Sequence, residues 1–162
     1  EGVAQVIGQG ELNQGYTYSR HPVAAAVALE NRRILQEENI VDNVRTEAAP
    51  YLANKGRGLA DHPLVGEASV IGMMGSLALT PHKESRARFA ADPGTIGYMC
   101  REHCFANNLV MRHVYDRMII SPPLVISKGE IDQLICRATK ALDATYAQAK
   151  AQGMLKVADA HP

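Results

Sequence analysis

Neither sign of charge is in excess in this chain of 162 residues: Lys plus Arg number 17, and so do Asp plus Glu. A balanced chain casts no global field toward nucleic acid or an anionic membrane surface. Long apolar runs are missing as well, and none approaches the roughly 20 residues a helix needs to cross a bilayer core. No basic segment followed by an apolar one stands at the N-terminus, so no secretory signal is read there. Cysteine is scarce and odd in number, with three residues. That excludes a disulfide framework and makes a reducing compartment, by default the cytoplasm, the expectation. Internal repeats and low-complexity tracts are absent. An initiator Met is absent too, so the chain is expected to be a portion of a longer one. What is present suits one domain with a real core: 46% apolar and 21% charged residues.

Residues 1–14 scatter Gly and Gln around the apolar run Val3 to Ile7, with no clear period. From Pro22, apolar Val23, Ala26, Val27, Leu29, Ile34 and Leu35 recur at helical spacing among good helix formers. Proline suits the first helical position, where its missing N–H would be unpaired anyway. A second helical stretch is predicted from Ile40 to Asp61, with a break or loose end at Pro50, Gly56 and Gly58. His62-Pro63 stops it. Leu64 to Leu79 reads as one long strand or two short ones, and Thr80 to Thr95 as a loop with one helical turn.

Gly97 to Asn107 is predicted helical, and Asn108 stands where a left-handed stop is wanted. Leu109–Val114 and Arg117–Ser121 read as paired strands around a Tyr115-Asp116 turn. Ser127-Lys128-Gly129-Glu130 is a capping box opening a last helix with the apolar face Ile131, Leu134, Ile135, Ala138 and Leu142. The predicted class is α/β: helices packed on a short, mainly antiparallel sheet.

Cys100 and Cys104 share one helical face with His103 offset from it, but zinc needs four ligands and no second Cys/His pair completes a set. Buried, inert thiols are the expectation, and no metal site is predicted. Gly8-Gln9-Gly10 has no convincing strand before it, so a dinucleotide loop is discounted. Met73, Met74, Met111 and Met118 are assigned to the core. His62, His82, His113 and His161 have no partner readable from sequence.

Two segments carry most of the functional signal. The first is Gly15-Tyr16-Thr17-Tyr18-Ser19-Arg20-His21-Pro22, where hydroxyls and backbone amides adjoin a helix start that can hold a phosphate. An ordinary turn capping a helix is the alternative. The second runs from Leu109 to Ser127 and includes Met111-Arg112, Asp116 and Pro122-Pro123. A guanidinium such as Arg112 gives a carboxylate two parallel hydrogen bonds. A surface arginine paired with Asp116 or Glu130 is the plainer reading.

From about Gly10 to Thr145 the chain resembles the C-terminal part of class III (omega) aminotransferases, which depend on pyridoxal 5'-phosphate. It is most similar to the branch that moves amino groups from diamines such as putrescine, or from omega-amino acids, to pyruvate. The resemblance implies a fold type I enzyme. Residues 1–21 would end the large cofactor-binding domain with its phosphate loop, and residues 22–162 would form a linker helix and the small C-terminal domain. It assigns Tyr16 and Thr17 to cofactor binding, Thr17 at the phosphate of a neighbouring subunit, and hence implies a homodimer. It assigns Arg112 to the substrate carboxylate, as a mobile arginine that swings away for amines lacking one.

An amine donor and a keto-acid acceptor are the implied partners, with no nucleic acid and no membrane. The family's cofactor-bearing lysine maps before residue 1, and none of the six lysines here, at 55, 83, 128, 140, 150 and 156, lies in a similar context. No catalytic residue is therefore assigned, and the chain alone is expected to be inactive. Three departures stand out: Arg20 and Tyr115 where the family usually has Gly, and Ser69-Val70 where it commonly has Arg-Gly. They favour an alternative, a non-catalytic interaction or regulatory domain retaining the small-domain fold. A free-standing module for an anionic ligand is a third reading.

Overall fold

The computed structural model describes residue 5 and residues 21–158. The run Val3 to Ile7 apart from Gln5, Gly8-Gln9-Gly10, Tyr16, Thr17, Arg20 and His161 therefore lie outside the described residues. The chain divides into two units, Glu1–Glu38 and Asn39–Pro162.

The described part of the first unit is helix α1, Pro22–Glu37. His21 is its extended N-cap and its Nδ1 accepts the Ala24 N–H at 3.4 Å, with Pro22 opening the helix as predicted. None of its residues is buried. Arg33 bridges Glu30 and Glu37 along one side, giving the local support of neighbouring helical charges.

The second unit opens with the predicted Ile40–Asp61 stretch, which is helical throughout but changes pitch. Helix α2 (Ile40–Asn43) passes into a π turn (Val44–Ala48), then helix α3 (Ala49–Gly58) and a 3-10 turn (Leu59–Asp61). The expected break is absorbed by the π turn. Pro50 lacks an N–H and crowds the carbonyl four residues back. A wider turn immediately before it relieves that, the Ala49 N–H bonding to the Val44 carbonyl.

Leu64 to Leu79 resolves into two strands, β1 (Val65–Ile71) and β2 (Met74–Leu79). Gly72 takes φ +59° at the first position of the two-residue turn between them, the backbone a tight hairpin wants. After helix α4 (Thr95–Ala106) come β3 (Arg112–Val114) and β4 (Arg117–Ile120), then helix α5 (Lys128–Ala151). The sheet order is β1-β2-β4-β3 and every pairing is antiparallel.

Three expectations need correction. Strand β3 begins at Arg112, not Leu109. The Leu109 N–H is spent on the Cys104 carbonyl at 2.9 Å, closing α4 behind Asn108 at φ +54°, so it has no donor left for a ladder. Residues 80–94 form no helix and hold hydrogen-bonded turns at 83–86 and 93–94, and Thr95 already opens α4. The loop's organising residue is the buried Thr80, whose hydroxyl donates to the Ala87 carbonyl at 2.8 Å and accepts the His82 N–H at 3.2 Å. Met74 is exposed while Met73, Met111 and Met118 are buried. It pairs with the exposed Ile71 at the hairpin end, and strand alternation turns both away from the core.

The sheet is covered on one face. Val70, Leu77, Leu79, Met118 and Ile120 point into a core shared with Leu52 of α3, Ile96 and Cys100 of α4, and Ile131, Ala138 and Leu142 of α5. Each fully buried Leu or Ile contributes about 2 kcal/mol by leaving water. The capping box on α5 forms as predicted: Ser127 Oγ accepts the Glu130 N–H at 3.2 Å, and Glu130 accepts the Ser127 N–H at 2.8 Å.

Candidate functional site

Alternation leaves the second sheet face to Glu67, Ser69 and Ile71 of β1, Met74, Ser76 and Ala78 of β2, Arg117 and Ile119 of β4, and Arg112 and Val114 of β3. All of these are half-buried or exposed. The register arranges them in rows across the strands. Ser69, Ser76, Ile119 and Arg112 form one row, and Glu67, Ala78, Arg117 and Val114 the next. Two guanidiniums therefore share this open face at its β3–β4 edge.

Neither acid offered by sequence as a partner for Arg112 is engaged with it. Asp116 Oδ1 accepts the Gly97 N–H at 2.9 Å and Oδ2 the Gly94 N–H at 3.1 Å, so both oxygens cap the start of α4. Glu130 is occupied by Ser127, whose N–H and hydroxyl hold its carboxyl below the usual range. Among the described residues Arg112 forms no ion pair. An exposed guanidinium whose nearby acids are committed elsewhere is chemically ready for an external carboxylate.

Tyr115, the departure at the turn beside Arg112, has φ +49°. The backbone thus keeps the left-handed turn that a glycine takes freely, at a cost of about 1 kcal/mol. The turn presses so closely on α4 that a Cβ at Gly97 would stand 2.0 Å from the Tyr115 carbonyl oxygen. At the other departure, the Val70 side chain fills space left by two glycines: its Cγ2 lies 2.9 Å from a Cβ built on Gly56 and 3.0 Å from one on Gly75. Ser69 sits in the Arg112 row, opposite Ser76.

Sequence reasoning missed Arg117 and Ser76. Arg117 Nη1 donates to Ser76 Oγ at 2.9 Å, fixing the second guanidinium on the same face. A signal existed: across a two-residue turn, positions 112 and 117 fall on one face of a hairpin. Tyr16 and Thr17 lie outside the described residues.

Cys100 and Cys104 are buried, and the hydrogen bond between them, with burial, pushes the Cys104 thiol far up. No group of His, Cys, Asp and Glu suited to a metal occurs among the described residues. No helix among them is long and apolar enough to cross a membrane.

Known proteins share this fold. The chain is 57% identical over 146 residues to putrescine–pyruvate aminotransferase of Pseudomonas aeruginosa, covering 90% of this chain and 32% of that protein. It belongs to the class III aminotransferases, as a C-terminal portion. A probable gamma-aminobutyrate transaminase 3 of Oryza sativa is 32% identical over 136 residues, covering 84% of this chain and 26% of that protein. Among solved structures, the omega transaminase from Pseudomonas jessenii in complex with PMP superposes with a TM-score of 0.78 at 32% identity, over 91% of this chain and 32% of that one. No family profile matches. The class III chain described here spans about a quarter to a third of the length of the curated relatives it matches. Its fold is the small α/β domain of these transaminases.

Proposed function

We propose that this chain is the part of a pyridoxal 5'-phosphate-dependent aminotransferase that reads the substrate carboxylate, in a parent moving amino groups from a diamine or omega-amino acid to a keto acid such as pyruvate. The observation that carries the reading is Arg112, exposed on the open sheet face with Asp116 and Glu130 both occupied elsewhere. Residues 1–21 would complete the large domain and its phosphate loop, with Tyr16 and Thr17 at the cofactor phosphate of a neighbouring subunit in a homodimer. Residues 22–162 would form the linker helix and small domain.

The described residues suit this chemistry. The omega-amino acid and keto-acid reactants carry a carboxylate, and the β3–β4 edge of the face offers Arg112 and Arg117 toward it. When bound, the cofactor supplies the electron-withdrawing ring through which an amino group is carried. This chain's own contribution is to bind and orient. Arg112 would accept the carboxylate of an omega-amino acid or keto acid in a two-pronged pair. Apolar Ile119 and Val114 beside it would keep water off the alkyl chain. For a diamine, Arg112 would turn outward, which its lack of an ion pair permits.

The non-catalytic reading rested on the departures, and two of those are structurally tolerated: Tyr115 holds the turn, and Val70 is packed against glycines. The experiment supplies the full-length parent with putrescine and pyruvate. The expected result is alanine formation that requires added pyridoxal 5'-phosphate, with none from residues 1–162 alone. A purified, folded parent that makes no alanine from any of putrescine, 4-aminobutyrate and beta-alanine refutes the proposal.

A further inference from the structure

A second surface lies apart from the Arg112 face, on the side of α4 turned away from the core. The inner side of this helix buries Ile96, Met99, Cys100 and Cys104. Tyr98, Arg101, Glu102 and Phe105 follow one another at helical spacing on the opposite side. Tyr98 and Phe105 are 53% and 40% exposed, large rings on the solvent side of a helix whose other side is already apolar. We propose that this outer ridge of α4 packs against the same ridge of a second copy of the chain, antiparallel, about a twofold axis between Arg101 and Glu102.

The residue order is what selects a second copy. Two copies related by a twofold bring residue i of one opposite residue j of the other, and j opposite i. Centred between Arg101 and Glu102, that operation sets Arg101 against Glu102 and Tyr98 against Phe105, each pair twice. Each charge meets its opposite and each ring meets a ring. An axis through either charged residue would instead oppose like charges. The same reversal carries the exposed Tyr115, whose backbone lies against Gly94 and Gly97 at the start of α4, toward the exposed Val110 just past its end.

The ridge is ordered within a single copy. The Arg101 guanidinium carbon lies 4.6 Å from the Phe105 ring centre and 5.9 Å from that of Tyr98, and the His113 ring stands edge-on to Tyr98 at 6.1 Å. Side chains held in this way lose little further freedom on association. Arg101 and Glu102 of one copy are 3.6 Å apart, too long for a hydrogen bond, so both charges keep capacity for a partner. Aromatic residues and arginine are the types enriched where protein surfaces meet, and this ridge carries both. The contact is separate from the active-site interface proposed above, uses none of residues 1–21, and does not rest on that reading.

Charge reversal tests the pairing by sedimentation of the chain over a concentration series. The unaltered chain is expected to self-associate. Arg101→Glu and Glu102→Arg each oppose like charges across the axis and should weaken association at least about tenfold. Mixing the two variants in equal amounts should restore it, because each supplies the charge the other lost, and that rescue also shows both to be folded. The doubly exchanged chain, Arg101→Glu/Glu102→Arg, should associate as tightly as the unaltered one. A chain that stays monomeric, single variants that associate undiminished, or a mixture no tighter than its components overturns the proposal. In the full-length parent, each single variant should lose one association step and the mixture regain it. A parent indifferent to both substitutions would give the ridge to its own remaining residues and overturn the pairing.

Discussion

Tyr115 shows how one side chain can hold a backbone it does not favour. Its φ of +49° sits in the region L-residues avoid, and the turn persists because Asp116 and the close-packed Gly97 fix both flanks. Tyr115→Gly is therefore expected to raise stability by about 1 kcal/mol, read by chemical denaturation. His62 makes a different residue-scale prediction. Its Nδ1 accepts the Leu64 N–H at 3.1 Å, which requires that nitrogen to be unprotonated, so Nε2 carries the hydrogen toward Asp143 at 3.3 Å. Tyr146 packs edge-on against the ring. Burial lowers the imidazole below its ordinary value against the opposing pull of Asp143, with Lys83 adding to the lowering.

A folded state that resists protonation binds fewer protons than the unfolded one, so stability falls as pH drops below about 6.5. His62→Asn keeps an acceptor for Leu64 and should flatten that slope; an unchanged slope would show that another group governs it. Among the thiols, Cys136 is exposed whereas Cys100 and Cys104 are buried. A disulfide-exchange reagent should modify one thiol in the folded chain and three after denaturation.

At the scale of elements, Asp116 joins hairpin to helix. Gly94 has no side chain to cap α4, and the cap arrives from 22 residues later in sequence. Asp116→Ala should cost about 2 kcal/mol through two lost charge-assisted bonds, with α4 the first helix to lose amide protection. This is also where sequence and structure part company. The α5 capping box, the Asn108 stop and the Pro22 start are local chemistry and were legible. The π turn before Pro50 was not, because a break and a change of pitch answer the same missing donor. Met74 and Leu109 misled for tertiary reasons: hairpin position decides which way Met74 faces, and a helix-closing bond takes the Leu109 donor. Arg112 was readable as a residue type, while its neighbour Arg117 needed the strand register to be seen.

At the scale of the molecule, the sheet has a closed face that stabilises the unit and an open one that carries Arg112 and Arg117 at its β3–β4 edge. Two arginines and a row of hydroxyls lie on the side away from the core, and the acids that sequence placed near Arg112 serve helix ends instead. That separation of duties lets the sheet hold its fold with one face and leave Arg112 exposed on the other. The measurement that bears most directly on it is the donor half-reaction of the full-length parent and its Arg112→Ala variant under single turnover. For an omega-amino acid, kcat/KM should fall about 10- to 100-fold, the worth of a charge-assisted pair, and for putrescine it should change less than about threefold. Equal losses for both donors, or no loss for either, would contradict the assignment of Arg112 to the carboxylate.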